Sequence, residues 1–304
     1  MSCRLLVSTP CYNHLVVQQA SRKAVFPPEI AKYLDVAAYV LDARAPVATF
    51  HIERELAARR LFLLAKADLA DAAETNRWRS FFEQHGLPAF AFVKDESDSL
   101  SPVRGFLSSA RAQKSEQRAR RGIRQTTLRV VVLGVPNTGK STVINRLVGQ
   151  RKAPTGDRPG ITRGYSWVRI LDGVELLDTP GILREYARVK RGKAKLLALR
   201  LVPEEAALVG DAVGALVAAF DDSNWSKLQK FYRLGEKVRK MSAAEAIAFV
   251  GKVVEGPRWK DSLADEVGSR IIADANRGRF GRFSLETVAT EGEELAGLFR
   301  RFGE

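Results

Sequence analysis

Cysteine is nearly missing: Cys3 and Cys11 are the two in a chain of 304 residues, and both lie near the N-terminus. That is no disulfide framework, and it suits a reducing compartment. Long apolar runs are missing too. The nearest, residues 206 to 220 (AALVGDAVGALVAAF), is interrupted by Asp211 and is too short to span a bilayer, so it reads as a buried helix. Internal repeats and low-complexity tracts are also lacking. The first 28 residues hold no acid at all; the first is Glu29. They carry Arg4, Arg22 and Lys23 among several Ser, Thr and Gln, a composition open to two readings: an organellar transit segment or an ordinary short basic N-terminus.

What is present in excess is positive charge. Lys and Arg number 49 against 35 Asp and Glu, and the isoelectric point is about 10.0. That balance favours a polyanionic partner. Two segments are dense in cations. Arg104 to Arg129 holds eight Lys or Arg against Glu116, and Arg184 to Arg200 holds seven against Glu185. Both suggest contacts to a phosphate backbone. Hydrophobic residues, at 45%, suffice for a real core.

Along the chain, "VAAYVLDARAP" from Val36 reads as a buried strand ending in a polar loop. "HIERELAARR" reads as helix, "LFLLA" at 61 to 65 as a strand, residues 71 to 86 as a capped helix closed by Gly86, and "LPAFAFV" as a third strand. Alternating strands and helices argue for a parallel α/β sheet. Residues 94 to 127 read as a basic, partly helical connection, and "WVRILDGVELLDTPG" as a hairpin-like pair of strands. Past about residue 200 the strand signal vanishes, and segments 204 to 220, 223 to 240, 243 to 254 and 262 to 277 read as amphipathic helices. Trp78, Trp167, Trp225 and Trp259 read as core or interface anchors. The segment 224 to 240 mixes aromatics with cations, so one face can pack while the other meets RNA.

The chemistry concentrates in "VVVLGVPNTGKSTVINRL". Gly134, Gly139, Lys140 and Ser141 satisfy G-x-x-x-x-G-K-[ST] between a strand and a helix. Glycines let backbone N–H groups wrap phosphates, and a helix N-terminus adds positive potential. Pro136, Asn137, Thr138, Gly139, Lys140, Ser141 and Thr142 form the candidate cradle, with Lys140 on the β and γ phosphates and Ser141 on Mg²⁺. "LLDTPG" places Asp178 at a strand end, where it can hold the Mg²⁺ shell, and Gly181 where its N–H can meet the γ-phosphate. Thr162, in the loop between, is the candidate switch threonine on Mg²⁺. "AKAD", at 65 to 68, is the candidate base reader: Asp68 would accept from guanine N1–H and N2–H₂, and the Lys66 stem would lie over the base.

Base motif, P-loop, switch threonine and D-T-P-G in that order are a circular permutation of a Ras-like GTPase. A sheet tolerates such recutting at surface loops. Order and wording together resemble the YlqF/RbgA family of circularly permuted GTPases, over about Asp35 to Glu286. The resemblance rests on "LDARAP", "AKADL", "GVPNTGKSTVINRL", "TGDRPGITRG", "LLDTPGIL" and "RIIADANRGRFGRFSLE". It implies GTP and Mg²⁺ as cofactors, and a helical C-terminal domain that contacts ribosomal RNA. It also implies a family histidine near the N-terminus as a catalytic group, for which His14 is the candidate; His51 and His85 read as helix-surface residues. The sequence departs from the family pattern at Ala65, where the family has Asn, and near "FVKDESDS", where Lys94 and Asp95 do not match the second base loop. Ile182 follows D-T-P-G, where Ras-like enzymes have a water-orienting Gln and this family a hydrophobic residue.

The expected architecture is therefore α/β: a circularly permuted Ras-like P-loop sheet followed by an all-helical domain. The division falls as 1–28 basic leader, 29–198 GTPase domain and 199–304 helical RNA-contacting domain. Lys140, Thr162, Gly181 and His14 are the catalytic candidates. The expected function is a GTP-hydrolysing assembly factor on immature large-subunit rRNA and ribosomal proteins, alongside other assembly factors. It would act as a monomer on the particle, in the mitochondrial matrix or, alternatively, the bacterial cytoplasm, with peripheral membrane association left open. A pseudo-GTPase rRNA scaffold and an ATP-using P-loop enzyme are the competing readings.

Overall fold

The computed structural model describes residues 28–50, 59–123, 126–149, 154–155, 166–178, 192–235 and 241–300. Among them, seven strands form one sheet in the order β3-β2-β1-β4-β7-β6-β5. The strands are β1 (Val36–Asp42), β2 (Arg59–Ala65), β3 (Ala89–Phe92), β4 (Leu128–Leu133), β5 (Pro154–Thr155), β6 (Ser166–Leu171) and β7 (Val174–Asp178). β1 to β4 and β7 run parallel; β6 pairs antiparallel with β7 and with β5. Every residue of β1 is buried, as expected of a central parallel strand covered on both faces.

The side-chain period of two then divides the core. Ala37, Tyr39, Leu41, Phe62, Leu64, Val131 and Leu133 face one way, against Trp78 and Phe82 of α3 (Ala72–Gln84). Val36, Ala38, Val40, Leu61, Leu63, Val130 and Val132 face the other, against α4 (Ser101–Ala119) and α5 (Lys140–Val148). α3 starts where Asp71 accepts from the N–H of Glu74 at 2.7 Å.

One sequence expectation changes here. Within "HIERELAARR", residues 51–58 lie outside the described residues, and Arg59 and Arg60 already belong to β2. The basic stretch 94 to 127 is partly helical, as expected: it holds the 19-residue α4, whose Val103, Leu107 and Ala110 enter the core. Its cations are partly spent on the protein itself. Arg111 pairs with Asp172, Lys114 with Asp35 and Arg120 with Glu116; just beyond the stretch, Arg129 of β4 reaches Glu175. The periodicity of α4 is faint in the sequence because the buried apolar stripe is narrow.

A third cluster is helical. α6 (Lys193–Ala198), α7 (Val209–Ala219), α8 (Asp222–Tyr232), α9 (Ala243–Glu255) and α10 (Ala264–Asn276) pack around Leu196, Val213, Leu216, Trp225, Val250 and Ile271. Ala45 and Val135, from the loops after β1 and β4, join it. Capping boxes at Asp221/Asn224 and Ser242/Glu245 fix the starts of α8 and α9. The packing does not follow the division at 198/199. α6 belongs to the helical cluster, and the last helix, α11 (Val288–Arg300), returns to the sheet. There Phe299 meets Phe50, Phe62, Phe81 and Phe82. Four-residue helices α1 (Pro28–Ala31) and α2 (Pro46–Thr49) complete the elements.

Candidate nucleotide site

From β1 the chain steps outward to β2 and β3, then returns to place β4 on the other side of β1. The crevice at the carboxyl ends of β1 and β4 is therefore a topological switch point, where ligands of such sheets bind. The P-loop follows β4 at this point. Gly134 (φ +144°) lies so close to β1 that a Cβ on it would sit 2.3 Å from the carbonyl oxygen of Val40. Gly139 (φ +104°) caps α5 in a conformation side chains rarely adopt, and Asn137 turns the loop at φ +60°. The first intrahelical bond is Val143 N–H to Gly139 C=O, so the earlier N–H groups of α5 have no partner in the helix.

Lys140 is buried within this loop. Its ammonium donates to the carbonyl of Val135, as does the hydroxyl of Thr138 at 2.8 Å. Burial pushes the Lys140 pKa down to about 8. No salt bridge to a carboxylate is formed by Lys140 among the described residues. A buried cation beside free N–H groups and glycines that exclude side chains fits a phosphate chain. Ser141, exposed in the first turn of α5, stands beside that space, and Thr142 is half-buried next to it.

Asp178 ends β7, which pairs with β4 through Leu128–Val174, Arg129–Glu175 and Val130–Leu176. Continuing that register sets the Asp178 backbone level with Val132, just below the P-loop. Ser141 and Asp178 are the residue types expected to hold a phosphate-bound Mg²⁺, which would screen the triphosphate charge. The side chain of Asp178, and Thr162, Gly181, Ile182, His14 and His51, lie outside the described residues.

The base-reading candidate converges on the same end of the sheet. β2 delivers Ala65, buried, whose Cβ lies 3.7 Å from the position a Gly139 Cβ would take. Lys66 then turns at φ +57°, Leu69 N–H closes the turn on the Lys66 carbonyl at 2.9 Å, and Asp68 is exposed. An Asn at position 65 would aim its amide at the P-loop; Ala offers a methyl. The loop after β3 is held by Ser99, whose Oγ accepts from Val93 N–H at 2.8 Å, and by Arg146 of α5, which donates to the Lys94 carbonyl.

Sequence reasoning missed one group of residues. Asp42, at the end of an otherwise apolar strand, is fully buried. Its Oδ2 lies 2.8 Å from Arg44 Nη2 and 3.0 Å from Lys66 Nζ. Burial alone would raise its pKa; Arg44 and then Lys66 outweigh that and hold it at about 2. Burial lowers the pKa of Lys66 more than Asp42 restores it. The signal was an acid and a base inside a run of buried residues, "LDAR", which periodicity does not explain.

A family model described as a 50S ribosome-binding GTPase matches residues 129–258. Ribosome biogenesis GTPase A of Bacillus licheniformis is 30% identical over 263 residues, covering 85% of this chain and 92% of that protein. The chain belongs to the ribosome biogenesis GTPase A family. The Thermotoga maritima member is 34% identical over 178 residues, 58% of this chain and 62% of that one. The GDP-bound structure of T. maritima YlqF superposes with a TM-score of 0.54 at 24% identity, covering 85% of this chain and 97% of that one, which supports the permuted fold. Membership of the ribosome biogenesis GTPase A family makes the protein a GTPase that uses GTP and Mg²⁺.

Proposed function

We propose that the protein binds rRNA of the immature large ribosomal subunit, hydrolyses GTP there and promotes the subunit's maturation. The observation that carries this reading is the approach of Ala65 to Gly139, which sets a base-reading turn and a phosphate loop around one crevice. In that crevice Asp68 reads guanine, Lys66 lies over the base, and the loop from Pro136 to Thr142 holds the phosphates with Gly181. Ser141, Thr162 and Asp178 hold Mg²⁺.

A basic surface on the helical region supports the RNA contact. Lys227, Lys230 and Arg233 of α8 and its C-terminal turn are exposed, as are Arg277, Arg279 and Arg282 after α10. Asn224 ties the two together by donating to the carbonyls of Phe280 and Arg282 at 2.7 and 2.9 Å. Phe231 stands 43% exposed among these cations, with the Arg279 guanidinium 5.7 Å from its ring centre. Cations for phosphates and an open ring for a base are what an unpaired RNA segment needs.

The location is read as the mitochondrial matrix, on the acid-free leader, with the bacterial cytoplasm as the alternative. Fusing residues 1–28 to a reporter and assaying import decides between them. The functional reading is tested by GTP hydrolysis with and without large-subunit particles. Stimulation by particles, lost in Lys140→Ala, is expected; no turnover with intact RNA binding in Lys140→Ala would favour a scaffold.

A further inference from the structure

The motif "LDARAP" has no role in holding phosphate, yet its Asp42 and Arg44 are fully buried. Each of the three guanidinium nitrogens of Arg44 has a partner. Nε and Nη2 go to Asp42 at 2.9 and 2.8 Å, and Nη1 goes to Asn276 Oδ1 at 3.0 Å. Asn276 is the last residue of α10. Its Nδ2 donates to the carbonyls of Ala198, at the end of α6, and of Ile272. The other oxygen-side contact of Asp42 is Lys66 at 3.0 Å, in the base-reading turn. A chain of charge-assisted bonds therefore runs from Lys66 through Asp42 and Arg44 to Asn276, whose neutral amide bonds carry it on to α6 and α10.

The backbone repeats the link. The Arg44 carbonyl accepts from Leu285 N–H at 2.8 Å and Glu286 N–H at 3.2 Å, and Phe283 N–H donates to the Leu69 carbonyl at 3.1 Å. Glu286, buried, accepts from Val47 N–H at 2.7 Å and from Lys195 of α6 at 3.0 Å. Arg44, Lys66, Leu69, Leu199, Arg200 and Asn276 line one cavity of about 380 Å³. Lys66 thus borders open space while Asp42 holds its ammonium in place.

We propose that Asp42, Arg44 and Asn276 are positioning residues for Lys66, and that they make guanine-nucleotide affinity depend on how the helical region is docked. The base turn lacks the Asn that would brace it against the P-loop; Asp42 supplies the brace from β1, and Arg44 hands it on to α10. The inference rests on the reading of Lys66 as a base contact. By linkage, a partner that shifts α10 changes guanine affinity, and guanine nucleotide changes the docking of α10 by the same factor.

The test is a double-mutant cycle on the full chain, pairing Asn276→Ala with Lys66→Ala. Asn276 lies at a part-buried helix end, so its variant is the one expected to fold; Asn276→Ser serves if it does not. Binding of GDP reports base plus phosphates, and binding of inorganic tripolyphosphate reports the P-loop alone. Asn276→Ala is expected to weaken GDP about three- to tenfold, leave tripolyphosphate unchanged, and add nothing further in the Lys66→Ala background. Wild-type GDP affinity in a folded Asn276→Ala protein, or equal losses of GDP and tripolyphosphate, would overturn the proposal. If Lys66→Ala itself leaves GDP affinity unchanged, the reading of Lys66 fails as well, which separates the two failures.

Discussion

The methyl of Ala65 points at Gly139 across 3.7 Å, measured to the place where a glycine side chain would begin. Two loops 74 residues apart in the chain thus share one crevice, and the sequence departure at position 65 falls where the base loop touches the phosphate loop.

Replacing Ala65 by Asn should therefore brace the base turn directly. An added hydrogen bond of about 1 kcal/mol predicts roughly fivefold tighter GDP binding. The Kd for GDP by fluorescence titration checks this. No change, or weaker binding with normal stability, would show that the methyl is not standing in an Asn position.

Gly251 is predicted to be indispensable for the helical cluster. A Cβ on it would lie 2.1 Å from the Trp259 ring, which is half-buried against α9. Gly251→Ala should cost about 1–3 kcal/mol through forced repacking. Thermal unfolding reads it, and Trp259→Leu in the same chain should recover part of the loss.

Acid should undo the brace at Asp42. Its pKa, about 2, is below the ordinary carboxylate value. Its contribution is then fully present above about pH 4 and disappears as pH falls through 2, an amount of about 2 kcal/mol. Asp42→Asn should be less stable by about 3–5 kcal/mol at pH 7, because Arg44 is left buried without its carboxylate. Its stability should also fall less steeply between pH 4 and 2, as measured by urea midpoints.

On the basic surface, charge and stacking separate by salt. Arg279→Ala or Lys230→Ala should reduce the slope of log affinity against log salt by about one unit each for an RNA ligand. Phe231→Ala should weaken binding by about 1–3 kcal/mol with the slope unchanged. Filter binding of single-stranded rRNA fragments over a salt series distinguishes them.

Local signals made most of the fold legible. β1 to β4 announce themselves as apolar runs between polar turns, and the helical segments 204 to 220, 243 to 254 and 262 to 277 appear as α7, α9 and α10 within about five residues; the segment 223 to 240 is helical only to Tyr232 as α8, and 236–240 lie outside the described residues. The P-loop was readable because its glycines are demanded by backbone geometry. What stayed hidden depends on distance in the chain. Nothing local says that Phe299 crosses back to Phe62, or that Asn276 meets Arg44 over 232 positions. The bounds of α4 inside its partly helical stretch were not legible either, because its buried apolar stripe is narrow and its cations Lys114 and Arg111 find Asp35 and Asp172 only in the fold.

The most direct test of the central claim, one purine nucleotide held by Asp68 at one end and Lys140 at the other, is competition between GTP and XTP for the wild type and for Asp68→Asn. A carboxylate accepts from guanine N1–H and N2–H₂, whereas an amide can donate to the xanthine 2-carbonyl. The account predicts that GTP wins in the wild type, that XTP wins in Asp68→Asn, and that Lys140→Ala weakens both. An unchanged preference in Asp68→Asn, with Lys140→Ala still abolishing binding, would contradict it.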